Sequence, residues 1–131
     1  MPWGGFLAVG GGAALGAWLR WGLGIALNPV FPMLPLGTLA ANLSGGLLMG
    51  LAMELMTRHT LLSPELRLLL TTGFLGGLTT FSTFSGEIVA LLLRREYLWG
   101  SIALAAHVVG SLALTVAGVL LMRAFFAWEG A

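Results

Sequence analysis

The sequence predicts an all-α membrane protein with four transmembrane helices per subunit, and three observations carry that expectation. Of its 131 residues, 58% are hydrophobic and only 8% are charged, a balance foreign to soluble globular chains. Four runs, about 3–27, 36–56, 66–93 and 98–126, reach the roughly 20 apolar residues needed to cross hydrocarbon. The third run departs from the usual filling of such a span. Its middle reads Gly73-Phe74-Leu75-Gly76-Gly77-Leu78-Thr79-Thr80-Phe81-Ser82-Thr83-Phe84-Ser85. The paired glycines followed by two threonines predict a third helix broken at Gly76-Gly77. Opened backbone at membrane depth is tolerated only where protein or a water-filled cavity covers it. The stretch is therefore the candidate ion or substrate site of a single four-span domain, residues 1–131.

Composition narrows the function further. The formal net charge is +1, with no basic surface for nucleic acid. Cysteine is absent, which excludes disulfides, thiolate metal sites and thiol catalysis. The N-terminal run lacks a basic leader, carries Arg20 and ends in Asn28-Pro29, so it reads as a retained helix and not as a cleaved signal. With four spans, Arg58, Arg67 and Arg123 fall on one side of the bilayer and Arg94 and Arg95 on the other. Arginine accumulates on cytoplasmic loops, and this near-balance permits insertion in both orientations. Two opposed copies would then form an antiparallel, dual-topology homodimer, the inversion many transporters obtain from internal repeats.

In the first span, Gly12, Gly16 and Arg20 are four apart and share one helix face, which should meet protein and not lipid. The run Gly10-Gly11-Gly12 follows no strand and lacks the spacing of a dinucleotide fingerprint. Arg20 has two candidate roles: snorkelling to the interface beside Trp18 and Trp21, or setting a positive potential at an aqueous mouth. Asn28, Pro29, Pro32 and Pro35 form a stiff, uncharged turn. The second span places Gly37, Ala41 and Gly45 on one face and Gly46 and Gly50 on a neighbouring one. Its amide, Asn42, either bridges two helices or lends an NH2 to an anion's coordination shell.

Glu54, Arg58, His59, Ser63, Pro64, Glu65 and Arg67 read as a water-exposed turn, with Ser63-Pro64-Glu65 starting the third helix. Beyond the break, Phe81 and Phe84 share a face. So many hydroxyls around them, from Thr79, Thr80, Ser82, Thr83 and Ser85, argue against a lipid-facing role. The edge of a phenyl ring is electropositive, and two edges in a narrow polar file could hold a small anion weakly, as conduction requires. Glu87 is expected to pair with an arginine or reach water. In the fourth span His107, Ser111 and Thr115 form a polar stripe at four-residue spacing. His107 admits a proton relay or a hydrogen-bonded lining role. No nucleophile elbow, triad or phosphate loop is present, so an enzyme is not expected.

The third-span motif, preceded by Gly37-Thr38-Leu39-x-x-Asn42 and by the glycine run leading to Arg20, resembles the Fluc (CrcB) fluoride channels of bacteria and archaea, and the similarity covers essentially the whole chain. The resemblance implies four-helix subunits in the prokaryotic cell membrane, paired as antiparallel dual-topology homodimers with two pores that let cytoplasmic fluoride leave passively. It implies that Phe81 and Phe84 line those pores with their ring edges and that Asn42 is a pore donor. Thr80, Ser82, Thr83, Ser111 and Thr115 look like the family's polar track, and Arg20 would belong to the vestibule. The Gly76 and Thr79 carbonyls of both subunits would hold a structural sodium at the dimer interface. His107 stands where the resemblance leads us to expect a neutral polar residue. Two competitors remain at this stage. A small proton-coupled multidrug exporter needs a membrane carboxylate, which the first span lacks. A scaffold subunit would use its glycine faces only to bind partner helices.

Overall fold

The computed structural model describes residues 3–131 and is all-helical over them. Helix α1 (Trp3–Leu27) leads through a short 3-10 turn at Asn28–Val30 to α2 (Leu36–Arg58). The third crossing is composite: α3 (Pro64–Leu68), a π-helical segment (Leu69–Leu75), α4 (Gly76–Leu78), and, after an extended pair, α5 (Phe81–Leu93). Helix α6 (Tyr97–Glu129) completes the chain. By length and hydropathy α2, the composite 64–93 and α6 qualify as membrane spans. Helix α1 is long enough at 25 residues, but its glycines, its tryptophans and Arg20 dilute its hydropathy.

Local chemistry sets the helix ends. The Asn28 carboxamide oxygen accepts from the Gly37 and Thr38 amides at 2.8 and 3.1 Å, capping the N-terminus of α2 from the preceding turn, where Pro35 itself offers no side-chain cap. The Ser63 hydroxyl accepts from the Leu66 amide at 3.1 Å with Pro64 behind it, the helix start expected from Ser63-Pro64-Glu65. Arg95 takes a left-handed φ of 60° between α5 and α6. Its turn is closed by the Glu96 amide donating to Leu91 O at 2.9 Å.

Small residues bring the helices together. Gly12 and Gly16 of α1 are buried, and a Cβ on Gly16 would overlap the Phe74 carbonyl. The α1 face predicted to meet protein therefore lies on the composite third crossing. On the other side of α2, a Cβ on Gly50 would overlap Thr115 O, and one on Gly118 would overlap Leu47 O. Backbone thus meets backbone along the α2–α6 seam, the arrangement that van der Waals attraction favours where lipid gives no hydrophobic drive. A small core of Ala41, Leu75 and Leu78 closes the centre.

One expectation is corrected. The third crossing does not break at Gly76-Gly77: Gly76 is helical at φ −63°, ψ −36°, and the extended residues are Thr79 (φ −84°, ψ 155°) and Thr80 (φ −149°, ψ 117°). The glycines serve close approach instead, since a Cβ on Gly77 would overlap Ala13 O of α1. A second correction concerns Glu54, which is not in open water. It is buried, with Arg58 at 3.0 Å and Arg123 at 3.2 Å, and the Arg58 guanidinium lies 5.0 Å above the Phe126 ring.

Candidate ion site at the broken helix

The break is held open by one side chain. Asn42 Oδ1 accepts from the Thr80 amide at 2.7 Å, and its Nδ2 donates back to Thr80 O at 3.0 Å. Both polar groups of an extended residue are thereby satisfied by a carboxamide 38 positions away. The Thr80 hydroxyl then starts the next helix by accepting from the Thr83 amide at 3.0 Å.

Diverting these amides has a second effect. In a continuous helix the Thr80 and Thr83 amides would donate to Gly76 O and Thr79 O. Here they turn to Asn42 and to Thr80 Oγ1, so Gly76 O and Thr79 O lose their usual donors. The Gly77 carbonyl, released likewise, accepts from Arg20 Nε at 3.1 Å. Arg20 is therefore a cap on the broken end of α4, a role that neither sequence-based reading contained.

Two openings flank the break. A groove of about 470 Å³ gathers Asn42, Gly76, Thr79, Thr80, Phe81, Phe84, His107, Ser111 and Thr115. A smaller cavity of about 300 Å³ gathers Arg20, Asn28, Thr38, Thr80 and Thr83. Thr80 lines both. Ser82 lines neither, although its hydroxyl is 3.4 Å from that of Thr80.

Within the groove, Phe81 and Phe84 meet edge to face, with centroids 4.9 Å apart and planes at 89°. Their exposures differ sharply: Phe84 is 5% exposed and Phe81 is 77% exposed. Phe84 is held from behind by the His107 ring, stacked at 4.7 Å and 23°, while His107 Nδ1 lies 2.9 Å from Asn42 Nδ2. Asn42 thus engages both of its amide hydrogens within the chain. The Thr115 hydroxyl spends its proton on Ser111 O or Gly46 O, at 2.9 and 3.0 Å. Among the described residues, the Ser111 hydroxyl has no hydrogen-bond partner, which leaves its donor to the groove.

Thr38 was not singled out from the sequence, although it sits one turn before Asn42 on the same face. It is buried and donates to the Glu87 carboxylate at 2.6 Å. Glu87 was expected to pair with an arginine or reach water; its partner is this neutral hydroxyl. No arginine or carboxylate lines the groove, so what it can do chemically is take up a small ion through neutral donors and ring edges.

Comparison with known proteins agrees with this arrangement. The family model described as "CrcB-like protein, Camphor Resistance (CrcB)" matches residues 7–119. A Ralstonia pickettii protein named fluoride-specific ion channel FluC is 60% identical over 121 residues, covering 92% of this chain and 96% of its own. Proteins of the same name from Nitrosospira multiformis and Pseudomonas putida are each 58% identical, over 116 and 113 residues, covering 88% and 86% of this chain and 91% and 89% of their own. Apolar spans, a clamped break and this likeness over most of the sequence lead to one conclusion: the chain is a multi-pass membrane protein that belongs to the CrcB-like family.

Proposed function

We propose that the chain is a fluoride-selective channel in a prokaryotic cell membrane, through which cytoplasmic fluoride leaves passively and its toxicity is relieved. The observation that carries the reading is the Asn42-clamped break opening onto an uncharged groove with an edge-to-face phenylalanine pair and free hydroxyls. The relatives' name supports it. Fluoride is small and strongly hydrated, so a path for it must offer donors in place of water without holding the ion tightly. Neutral hydroxyls and ring edges meet that demand, whereas an unscreened arginine in the groove would trap the ion. The polar path comprises Phe81, Phe84, Thr80, Ser82, Thr83, Ser111, Thr115 and His107, with Arg20 at its vestibule. Asn42 contributes by shaping the break, since its own donors are already engaged.

The functional unit in this proposal is a homodimer of oppositely inserted copies with two pores. The groove is open on one flank, where Phe81, Val108 and Leu112 are exposed, and the near-balanced arginine count permits both insertions. The resemblance also implies a sodium ion, and the chain's donor set fits one. Among the described residues no group of His, Asp and Glu could hold a metal, but Gly76 O and Thr79 O have lost their helical donors. Backbone oxygens are the ligands hard cations take. Gly76 is exposed, and a Cβ there would meet only Thr71 O at 3.6 Å. When bound, sodium would supply positive charge to offset carbonyl dipoles contributed by both copies.

The test is fluoride efflux from liposomes carrying the purified protein, read with a fluoride electrode and compared with chloride. Fluoride release without chloride release is expected. Vesicles that keep their fluoride gradient refute the reading.

A further inference from the structure

We propose that His107 is a positioning residue for the ion path, acting as a hydrogen-bond acceptor that locks the Asn42 carboxamide and backs the Phe84 ring. The inference deepens the fluoride-channel reading and rests on it for its flux readout. Its geometry starts from Thr80. A backbone N–H can only donate, so the Asn42 atom 2.7 Å from the Thr80 amide is the oxygen. The amide orientation follows without ambiguity, and the atom 2.9 Å from His107 Nδ1 is then the NH2 nitrogen. Nδ1 must accept, so the imidazole proton resides on Nε2.

One neutral tautomer of His107 therefore completes a connected chain: Thr80 backbone, Asn42 carboxamide, His107 ring, Phe84 face, Phe81 edge. A second proton on the ring would put an N–H against the Asn42 N–H. Turning the carboxamide over would not relieve this, because its NH2 would then face the Thr80 amide. Protonation therefore removes the lock whichever way Asn42 turns.

No other charge is near enough to compensate. Helix α1 offers Arg20, which is turned to Gly77 O. Helix α2 offers Glu54, which is held by Arg58 and Arg123. Helix α5 offers Glu87, which is on Thr38. Helix α6 has no other titratable side chain between Tyr97 and Arg123.

The experiment compares wild type, His107→Gln and His107→Leu, the first variant keeping an acceptor and the second none. Fluoride flux in liposomes, corrected for protein-free vesicles, is read from about pH 8 to about pH 5.5, across the imidazole range. Wild-type flux should fall about tenfold, the equivalent of one lost hydrogen bond, while His107→Gln stays flat. His107→Leu should lose about tenfold at every pH, with faster deuterium exchange at the Thr80 amide. Matching pH profiles for wild type and His107→Gln overturn the proposal, as does wild-type flux with full Thr80 protection in His107→Leu. Imidazole nitrogen NMR of the wild type is independent of any variant's folding and of transport. An unprotonated Nδ1 near neutral pH is expected, and a protonated Nδ1 overturns the proposal even if the protein carries no fluoride.

Discussion

Replacing Asn42 with leucine, a side chain of similar size without polar atoms, isolates the clamp. It removes the two hydrogen bonds to Thr80, at 2.7 and 3.0 Å, and the one to His107, at 2.9 Å. Each buried backbone group left without a partner costs about 1–3 kcal/mol. The two Thr80 groups together would lose about 2–6 kcal/mol. The Thr80 amide has one escape, which is to rewind the helix and donate to Gly76 O, and this brings the expected cost of keeping the break to about 2–4 kcal/mol. At 1.4 kcal/mol per factor of ten, the open form falls by a factor of about 30 to about 700. Fluoride efflux should drop accordingly, and deuterium exchange at Thr80 and Phe81 should report a changed backbone. Asn42→Asp keeps the acceptor for the Thr80 amide and loses the donors, so its effect should fall between leucine and wild type. Asn42→Leu carrying fluoride at the wild-type rate with an unchanged Thr80 amide would refute the reasoning.

The phenylalanines should separate by burial. Phe81→Ile leaves subunit stability within about 0.5 kcal/mol, as for an exposed site, but slows flux strongly. Phe84→Ile slows flux and lowers stability as well, because the ring is buried against His107; unchanged flux in both variants, measured by electrode, would reject their pore role. Adjacent glycines should fail differently. Gly77→Val collides with α1 backbone and should yield no monodisperse protein on size exclusion, whereas Gly76→Val finds space within the subunit and should fold but lose the dimer. A sodium-bound dimer of Gly76→Val would contradict that assignment. Glu54→Leu should lower the melting temperature more than Arg123→Leu, since the first leaves two arginines without their shared carboxylate and the second removes a half-exposed partner; the reverse order in a thermal scan would count against the cluster.

Much of this was legible in the sequence because it depends on spacing along one helix. Gly12, Gly16 and Arg20 do lie on one face of α1 against the third crossing, and Gly46 and Gly50 do meet α6. The polar interruption was legible as well, since so many hydroxyls have no place in hydrocarbon. What stayed hidden depends on distant partners. The break falls at Thr79 and Thr80 and not at the glycines because Asn42, far away in sequence, supplies the bonds that an extended residue needs. Arg20 and Gly77 are 57 residues apart, and Thr38 and Glu87 are 49 apart. No local pattern pairs them.

The widened turn over Leu69–Leu75 fixes an angular phase for everything after it. A π-helical segment holds extra chain per revolution compared with an α-helix, so removing one residue there would let the coil tighten with little local damage. All that follows would be swung by about 100°. Gly77 would leave α1, Thr80 would leave Asn42, and a polypeptide of nearly identical composition would present its ring pair to the wrong neighbour. The chain is thus timed as well as folded, and a single-residue deletion in this segment should be worse tolerated than most substitutions around it.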